Sequence, residues 1–100
     1  VLRAGRTTAG QAKAFEVHGP RLLVPYTADQ TFDARAAFGR DAPLILEIGF
    51  GMGTATAHIA QVRPQDDFLC CEVHEPGVGS LLKLAGDAGL NNIRIVQHDT

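Results

Sequence analysis

Three acidic residues stand at or near the ends of three apolar runs: Glu47, Glu72 and Asp99. A carboxylate can accept hydrogen bonds from the hydroxyl groups of a ribose. Glu72 follows Gly53 at close to the roughly 20 residues that separate a glycine turn from a ribose-binding acid. One acid at a sheet rim can equally be a solvated residue, but three at equivalent ends favour a ligand site. Glu72 is therefore predicted to bind a ribose.

Glycines occupy alternate positions in the run EIGFGMG (residues 47–53), and a helical pattern begins at Thr54. Glycine has no Cβ, so the backbone can turn sharply and come close to a ligand. The N–H groups at the start of the helix form a partial positive pole. A dinucleotide fingerprint needs G-x-G-x-x-G/A, and reading it from Gly49 and Gly51 puts Thr54 in the last slot. The run therefore predicts a small-molecule site that fits a dinucleotide poorly.

The pattern after Ala42 alternates strands and helices. It predicts strands over 44–48, 67–73 and 92–96, and helices over 54–62 and 77–88. Right-handed crossovers then give three parallel strands in the order 3-2-1, the N-terminal half of a Rossmann-like α/β sheet. The nearly continuous apolar run 44–48 is expected where both faces of a sheet are covered. The three acids should share one rim, because parallel strands end at the same edge.

Residues 1–41 are predicted to form a short N-terminal helical extension, and residues 42–100 the first half of a binding domain. The extension should hold a helix over 9–17, ended by Gly19-Pro20, and a helical turn over 34–38. An apolar strand at 44–48 left as an open edge would be an aggregation hazard. We therefore expect the chain to be the N-terminal part of a longer protein.

Composition limits the class of protein. One hundred residues with 45% hydrophobic and 20% charged residues indicate one small soluble domain. No apolar run is long enough to span a bilayer, and no signal peptide is visible, so a cytoplasmic location and no membrane partner are expected. Cys70 and Cys71 should point to opposite faces of a strand, which makes a disulfide between them improbable. The histidines are scattered, so no metal site is predicted.

Two motifs show a resemblance to a known family. EIGFGMG (47–53) resembles motif I of class I S-adenosylmethionine-dependent methyltransferases. EVHEPGVG (72–79) resembles the E-V-H-x-P-G-V-G signature of the bacterial tRNA (guanine-N7)-methyltransferases. GLNNIR (89–94), RAGRTTAGQ (3–11) and FGR (38–40) fit the same family. The resemblance covers nearly the whole chain. It implies a class I methyltransferase fold, S-adenosylmethionine as the cofactor and tRNA as the partner.

The resemblance also implies a set of cofactor-binding residues: Glu47, Gly49, Gly51, Glu72, His74, Asp99 and Thr100. Glu47 and the backbone of the glycine turn would surround the methionine end of the cofactor. Glu72 would hold the ribose hydroxyls, with His74 close by. Asp99 would bond the exocyclic amine of adenine, with the Thr100 backbone beside it.

The implied reaction is methyl transfer to N7 of a guanosine in tRNA, with Arg3 and Arg6 near the tRNA phosphates. The family's catalytic aspartate belongs to a P-D-P-W-P-like segment, which these 100 residues lack. We therefore expect no catalytic residue before Thr100 and no activity from this chain alone. The full-length protein is expected to be a monomer or a homodimer. Two alternatives stay open: a nucleotide-binding module without activity, and a class I methyltransferase for another substrate.

Overall fold

The computed structural model describes residues 7–26 and 31–98. Its elements are α1 (Ala9–Leu22), α2 (Ala34–Phe38), β1 (Leu44–Ile48), α3 (Thr54–Val62), β2 (Asp67–Cys71), α4 (Glu75–Asp87) and β3 (Ile93–Val96). Four of the predicted site residues lie outside the described residues: Arg3, Arg6, Asp99 and Thr100.

The three strands form one parallel sheet in the order β1-β2-β3. This confirms the predicted arrangement of neighbouring strands. Ile48 of β1 lies opposite Cys71 of β2, and Cys71 lies opposite Val96 of β3. Because the last residues of the three strands are in one row, the segments that follow them leave from the same edge of the sheet.

Three helices cover one face of the sheet. The core on that face joins alternate strand residues, such as Cys70 and Ile95, to apolar residues of α1, α3 and α4. Leu81 and Leu82 of α4 and Leu22 of α1 are fully buried there. Burial of a leucine side chain stabilises a fold by about 1.5–3 kcal/mol. This shared core therefore fixes the positions of α3 and α4 relative to the strand ends.

The opposite face of the sheet is covered only in part by the described residues. Val24 and Phe32 pack against a small cluster on β2 and β3. On β1, however, Leu46 is 57% exposed and Ile48 is 60% exposed. The prediction that both faces of this strand are covered is therefore wrong for the described structure. Alternation along β1 sends these side chains away from the three helices.

Helix α1 is longer than predicted. The sequence predicts an end at Gly19-Pro20, but the helix continues through Pro20 to Leu22. The N–H of Leu23 donates to the carbonyl of Gly19 at 2.8 Å, so the last turn is closed after the proline. Full burial of Leu22 compensates for the hydrogen bond that Pro20 cannot donate.

Two boundaries near the strand ends also differ from the prediction. Strand β2 ends at Cys71 rather than at residue 73, and α4 begins at Glu75 rather than at residue 77. The N–H of Val73 donates to the Glu72 carboxylate, so it does not continue the sheet. Pro76 lies in the first turn of α4, where its missing N–H costs nothing.

Cys70 and Cys71 are free and buried, and they lie on opposite faces of the sheet as predicted. Cys70 belongs to the core under the helices and Cys71 to the cluster on the opposite face. Among the described residues there is no group of three or more histidine, cysteine or acidic side chains that could hold a metal ion. None of the helices described is long and apolar enough to cross a membrane.

Candidate functional site

The turn after β1 is built on three glycines with left-handed backbone conformations. Gly49, Gly51 and Gly53 have φ angles of 74°, 69° and 82°. Residues with a Cβ rarely adopt such angles. Gly49 donates its N–H to the carbonyl of Cys71 at 2.7 Å, which joins the start of the turn to the end of β2. Phe50 turns inward and is buried in the core.

Helix α3 starts directly at the end of this turn. Gly53 is its N-cap residue and, within the described part of the chain, no side chain caps the first turn. The first N–H groups of a helix have no partner inside the helix and carry partial positive charge. The turn therefore leads to a helix end whose donors remain available at the edge where the strands end.

The Glu72 carboxylate is held by three backbone N–H groups. Its Oε1 accepts from Gly51 at 2.8 Å, and its Oε2 accepts from Val73 and His74, each at 3.0 Å. Gly51 belongs to the turn after β1, while Val73 and His74 belong to the turn after β2. The side chain thus connects the two turns across the edge of the sheet.

These donors change the acidity of Glu72. Burial alone would raise the pKa of the carboxyl group, but the N–H groups of His74, Gly51 and Val73 and the charge of His74 outweigh burial. The net effect is a lowered pKa. Hydrogen bonds to the ionised form favour that form. Glu72 is therefore an anion at neutral pH, as a hydrogen-bond acceptor for hydroxyl groups should be.

The first turn of α4 packs directly against the glycine turn. A Cβ on Gly77 would collide with the carbonyl oxygen of Gly51. Gly77 is therefore required by the close approach of two backbone segments. A Cβ on Gly53 would come within 2.7 Å of the Leu81 side chain, so α4 fits closely beneath the turn at two points.

Glu47 lies one residue before the end of β1, on the face that the helices cover. Its Oε1 accepts a hydrogen bond of 2.5 Å from the hydroxyl of Thr56 in α3. Its neighbour across the strand pair is Cys70. Burial, together with the negative charge of Glu47, raises the pKa of the Cys70 thiol. That thiol therefore stays neutral beside the carboxylate.

The histidines near the edge have different surroundings. His74 is exposed and is the N-cap residue of α4, with its N–H on Glu72. His98 stacks on Tyr26, with ring centroids 3.6 Å apart and an angle of 12° between the planes. Tyr26 follows a short segment in which Leu23 forms a bridge to Ile95 of β3.

The structure brings five predicted site residues to one edge of the sheet: Glu47, Gly49, Gly51, Glu72 and His74. It also shows two contacts that are not predicted from the sequence. Thr56 holds Glu47, and Gly77 admits the backbone of Gly51. A polar residue on the buried side of α3 was the available signal for Thr56. Nothing in the sequence distinguished Gly77 from the other glycines of the chain.

Comparison with known proteins identifies the family. Residues 41–100 match the model of a family described as "Putative methyltransferase". The chain belongs to this methyltransferase family. The matched range contains the glycine turn, Glu47 and Glu72, which are the parts of the edge described above. Family membership thus agrees with the fold and with the class that the motifs indicate.

Curated relatives of this chain are similar over nearly its whole length. A tRNA (guanine-N(7)-)-methyltransferase of Paracidovorax citrulli is 73% identical over 99 residues, which is 99% of this chain and 39% of that protein. Proteins of the same name from Acidovorax sp. and Cupriavidus pinatubonensis are 71% and 68% identical, with 39% and 38% of their lengths matched. The chain therefore spans well under half the length of these relatives.

Proposed function

We propose that this chain is the cofactor-binding part of a tRNA (guanine-N7)-methyltransferase, which transfers a methyl group from S-adenosylmethionine to N7 of a guanosine in tRNA. The observation that carries the proposal is the 73% identity to a relative of that name over 99% of the chain. The geometry supports it, because a glycine turn, an open helix end and two acids meet at one sheet edge.

The hydrogen bonds of Glu72 leave room for a ribose hydroxyl. An ionised carboxylate offers about four acceptor sites. The N–H groups of Gly51, Val73 and His74 use three of them, one on Oε1 and two on Oε2. The unused site on Oε1 can accept one short hydrogen bond from a hydroxyl. Glu72 is thus proposed to hold the ribose chiefly through one hydroxyl, with the side chain already fixed before the ligand arrives.

Glu47 has more acceptor capacity left. Of the described residues, only Thr56 donates to it, through one bond to Oε1. An anion with unused acceptor sites fits an ammonium group, as on the methionine part of the proposed cofactor. The backbone of Gly49 and Gly51 lies between the two acids and is proposed to border the same part of the ligand.

The other assignments rest on the resemblance of motifs. Asp99 is proposed to bond the adenine amine, with the Thr100 backbone beside it, and His74 to lie near the ribose. Arg3 and Arg6 are proposed to contact tRNA phosphates. Residues 1–41 are proposed as an N-terminal extension and residues 42–100 as the first half of the cofactor-binding domain. A tRNA substrate and two free cysteines fit a cytoplasmic protein.

The chemistry assigned to this chain is binding and orientation. The cofactor, when bound, supplies an electrophilic methyl group on a sulfonium. Guanine N7 carries a lone pair and no proton, so its attack needs no general base. Rate enhancement then comes mainly from proximity, alignment and electrostatics. Fixing the ribose at Glu72 and the ammonium at Glu47 would hold the sulfonium in one position.

The test uses a chimera in which this chain replaces the matching segment of the Paracidovorax citrulli relative. Calorimetry with S-adenosylmethionine, S-adenosylhomocysteine and NAD measures the cofactor preference. A methyl-transfer assay on unmodified tRNA, followed by mapping of N7-methylguanosine, measures the reaction. We expect both adenosyl compounds to bind more tightly than NAD, and methylation of tRNA.

Each failure points to a different alternative. Preference for NAD would contradict the proposed cofactor. Binding of the adenosyl compounds without methylation of tRNA would favour a methyltransferase for another substrate. The 100-residue chain is expected to be inactive on tRNA, and activity from it alone would show that residues assigned here only to binding also act on guanine.

A further inference from the structure

Thr56 is a buried polar residue at a position where an apolar residue would ordinarily pack. Its side chain is 2% exposed, and it is the third residue of α3. A threonine inside a helix commonly bonds back to a carbonyl of the preceding turn. Here the hydroxyl instead crosses to β1 and donates to Glu47. A hydroxyl buried for a contact with one carboxylate indicates that the position of that carboxylate matters.

The bond also joins the two sides of the glycine turn. Glu47 precedes residues 49–53, and Thr56 follows them. Between these two residues the backbone adopts a left-handed conformation at three positions: Gly49, Gly51 and Gly53. A hydrogen bond across the base of such a turn limits the movement of helix α3 relative to strand β1. It also selects one orientation of the Glu47 side chain.

Glu47 keeps its second oxygen, Oε2, outside this bond. A carboxylate that is fixed through one oxygen loses less conformational entropy when its other oxygen binds a cation. We propose that Thr56 is a positioning residue for the cofactor, whose hydroxyl fixes Glu47 so that this acid can take the ammonium group of the methionine part. This inference rests on the proposed function of the site.

The inference separates ligands by one chemical group. S-Adenosylhomocysteine carries the amino acid part, whereas 5′-methylthioadenosine has the same nucleoside and thioether without it. Thr56→Val in the chimera keeps the shape of the side chain and removes the hydroxyl. We expect it to weaken the binding of S-adenosylhomocysteine by about tenfold, the scale of one hydrogen bond to a charged group. Affinity for 5′-methylthioadenosine should stay within twofold.

Thr56→Ser is the matched control, because it restores a hydroxyl at the same position. It should bind S-adenosylhomocysteine within about threefold of the wild type. Thr56→Val should add no further loss to a Glu47→Gln variant, since residues that act through one another are not additive. If Thr56→Val does not fold, Thr56→Ala serves in the same comparison, because alanine is well tolerated in a helix.

Equal weakening of both ligands would show that Thr56 only supports the fold, and would overturn the inference. Unchanged affinity for S-adenosylhomocysteine would overturn it as well. Failure of the proposed function has a different signature, since wild-type chimera would then bind neither ligand. If the wild type binds S-adenosylhomocysteine and Thr56→Val leaves that affinity unchanged, this inference is rejected while the proposed function stands.

Discussion

The two strand-end acids of the described site are held in different ways. Glu72 accepts hydrogen bonds from three backbone N–H groups, whereas Glu47 accepts one from the side chain of Thr56. Side-chain substitutions other than proline leave a backbone N–H in place. Support for Glu72 therefore depends on the shape of two turns, and support for Glu47 depends on the identity of one residue. Substitutions that distort the turns should affect Glu72 most.

The largest effect is expected from Gly77→Ala. The added Cβ would collide with the carbonyl oxygen of Gly51, whose N–H supports Glu72. We expect a loss of about 3 kcal/mol in the free energy of unfolding, the upper part of the usual range for overpacking. Denaturant unfolding of the chimera measures this loss, and calorimetry should show at least tenfold weaker binding of S-adenosylhomocysteine.

Gly10→Ala is the control for this substitution. A Cβ on Gly10 would lie 3.7 Å from the Lys83 side chain, which is an ordinary contact. Alanine is also the better helix former, so this variant should be as stable as the wild type or slightly more so. Equal stability of Gly77→Ala and Gly10→Ala would show that the two backbone segments do not approach as described.

A smaller effect is expected from Glu72→Gln. The neutral amide loses the charge that strengthens three hydrogen bonds, and its NH₂ group faces at least one N–H donor. We expect the free energy of unfolding to fall by about 2 kcal/mol. This is less than the sum of three charge-assisted hydrogen bonds, because the carboxylate is partly exposed. Denaturant unfolding at pH 7 measures the difference. Stability equal to that of the wild type would mean that the backbone donors do not hold this side chain.

The same comparison predicts a pH dependence. The pKa of Glu72 is lowered in the folded chain from its ordinary value of 4.5. Its contribution to stability is then fully present above pH 4.5 and is lost as the pH falls through the folded pKa. The stability difference between wild type and Glu72→Gln should therefore shrink on acidification below pH 4.5. Thermal unfolding from pH 7 to pH 3 measures it, and a constant difference would contradict the assignment.

The smallest effect on stability is expected from Glu47→Gln. The amide of glutamine keeps an oxygen that can accept the Thr56 hydroxyl, so the bond survives without its charge. We expect a change in the free energy of unfolding below about 1 kcal/mol. Denaturant unfolding beside Glu72→Gln measures the contrast. Destabilisation equal to that of Glu72→Gln would remove the difference between the two acids.

Most of the sheet and its helices could be predicted from the sequence. The apolar run of β1 and the helix that follows the glycine turn have the predicted limits. Both elements have strong local signals, an apolar run that ends at a glycine and a helical pattern that begins directly after the glycine turn, which explains this agreement. The predicted end of α1 at Gly19-Pro20 is wrong, because burial of Leu22 extends the helix beyond a proline that locally disfavours it. A tertiary contact of this kind leaves no signal in the local sequence.

For the candidate site, the sequence indicates which residues to consider but not which contacts they make. Glu72 and the glycine turn were recognisable from spacing, but nothing in the sequence says that Glu72 accepts an N–H of that turn. Thr56 and Gly77 act through neighbours that are distant along the chain. Likewise, the exposure of Leu46 depends on what lies beside β1, which an apolar run cannot show.

The central claim is that this sheet edge binds S-adenosylmethionine through Glu72. Calorimetry on the chimera and its Glu72→Ala variant, with S-adenosylmethionine and NAD as ligands, tests it most directly. The wild type should prefer S-adenosylmethionine, and Glu72→Ala should weaken its binding by roughly 2 kcal/mol, or about 30-fold, the scale of a lost charge-assisted hydrogen bond. Preference for NAD, or an unchanged affinity in a folded Glu72→Ala variant, would contradict the claim.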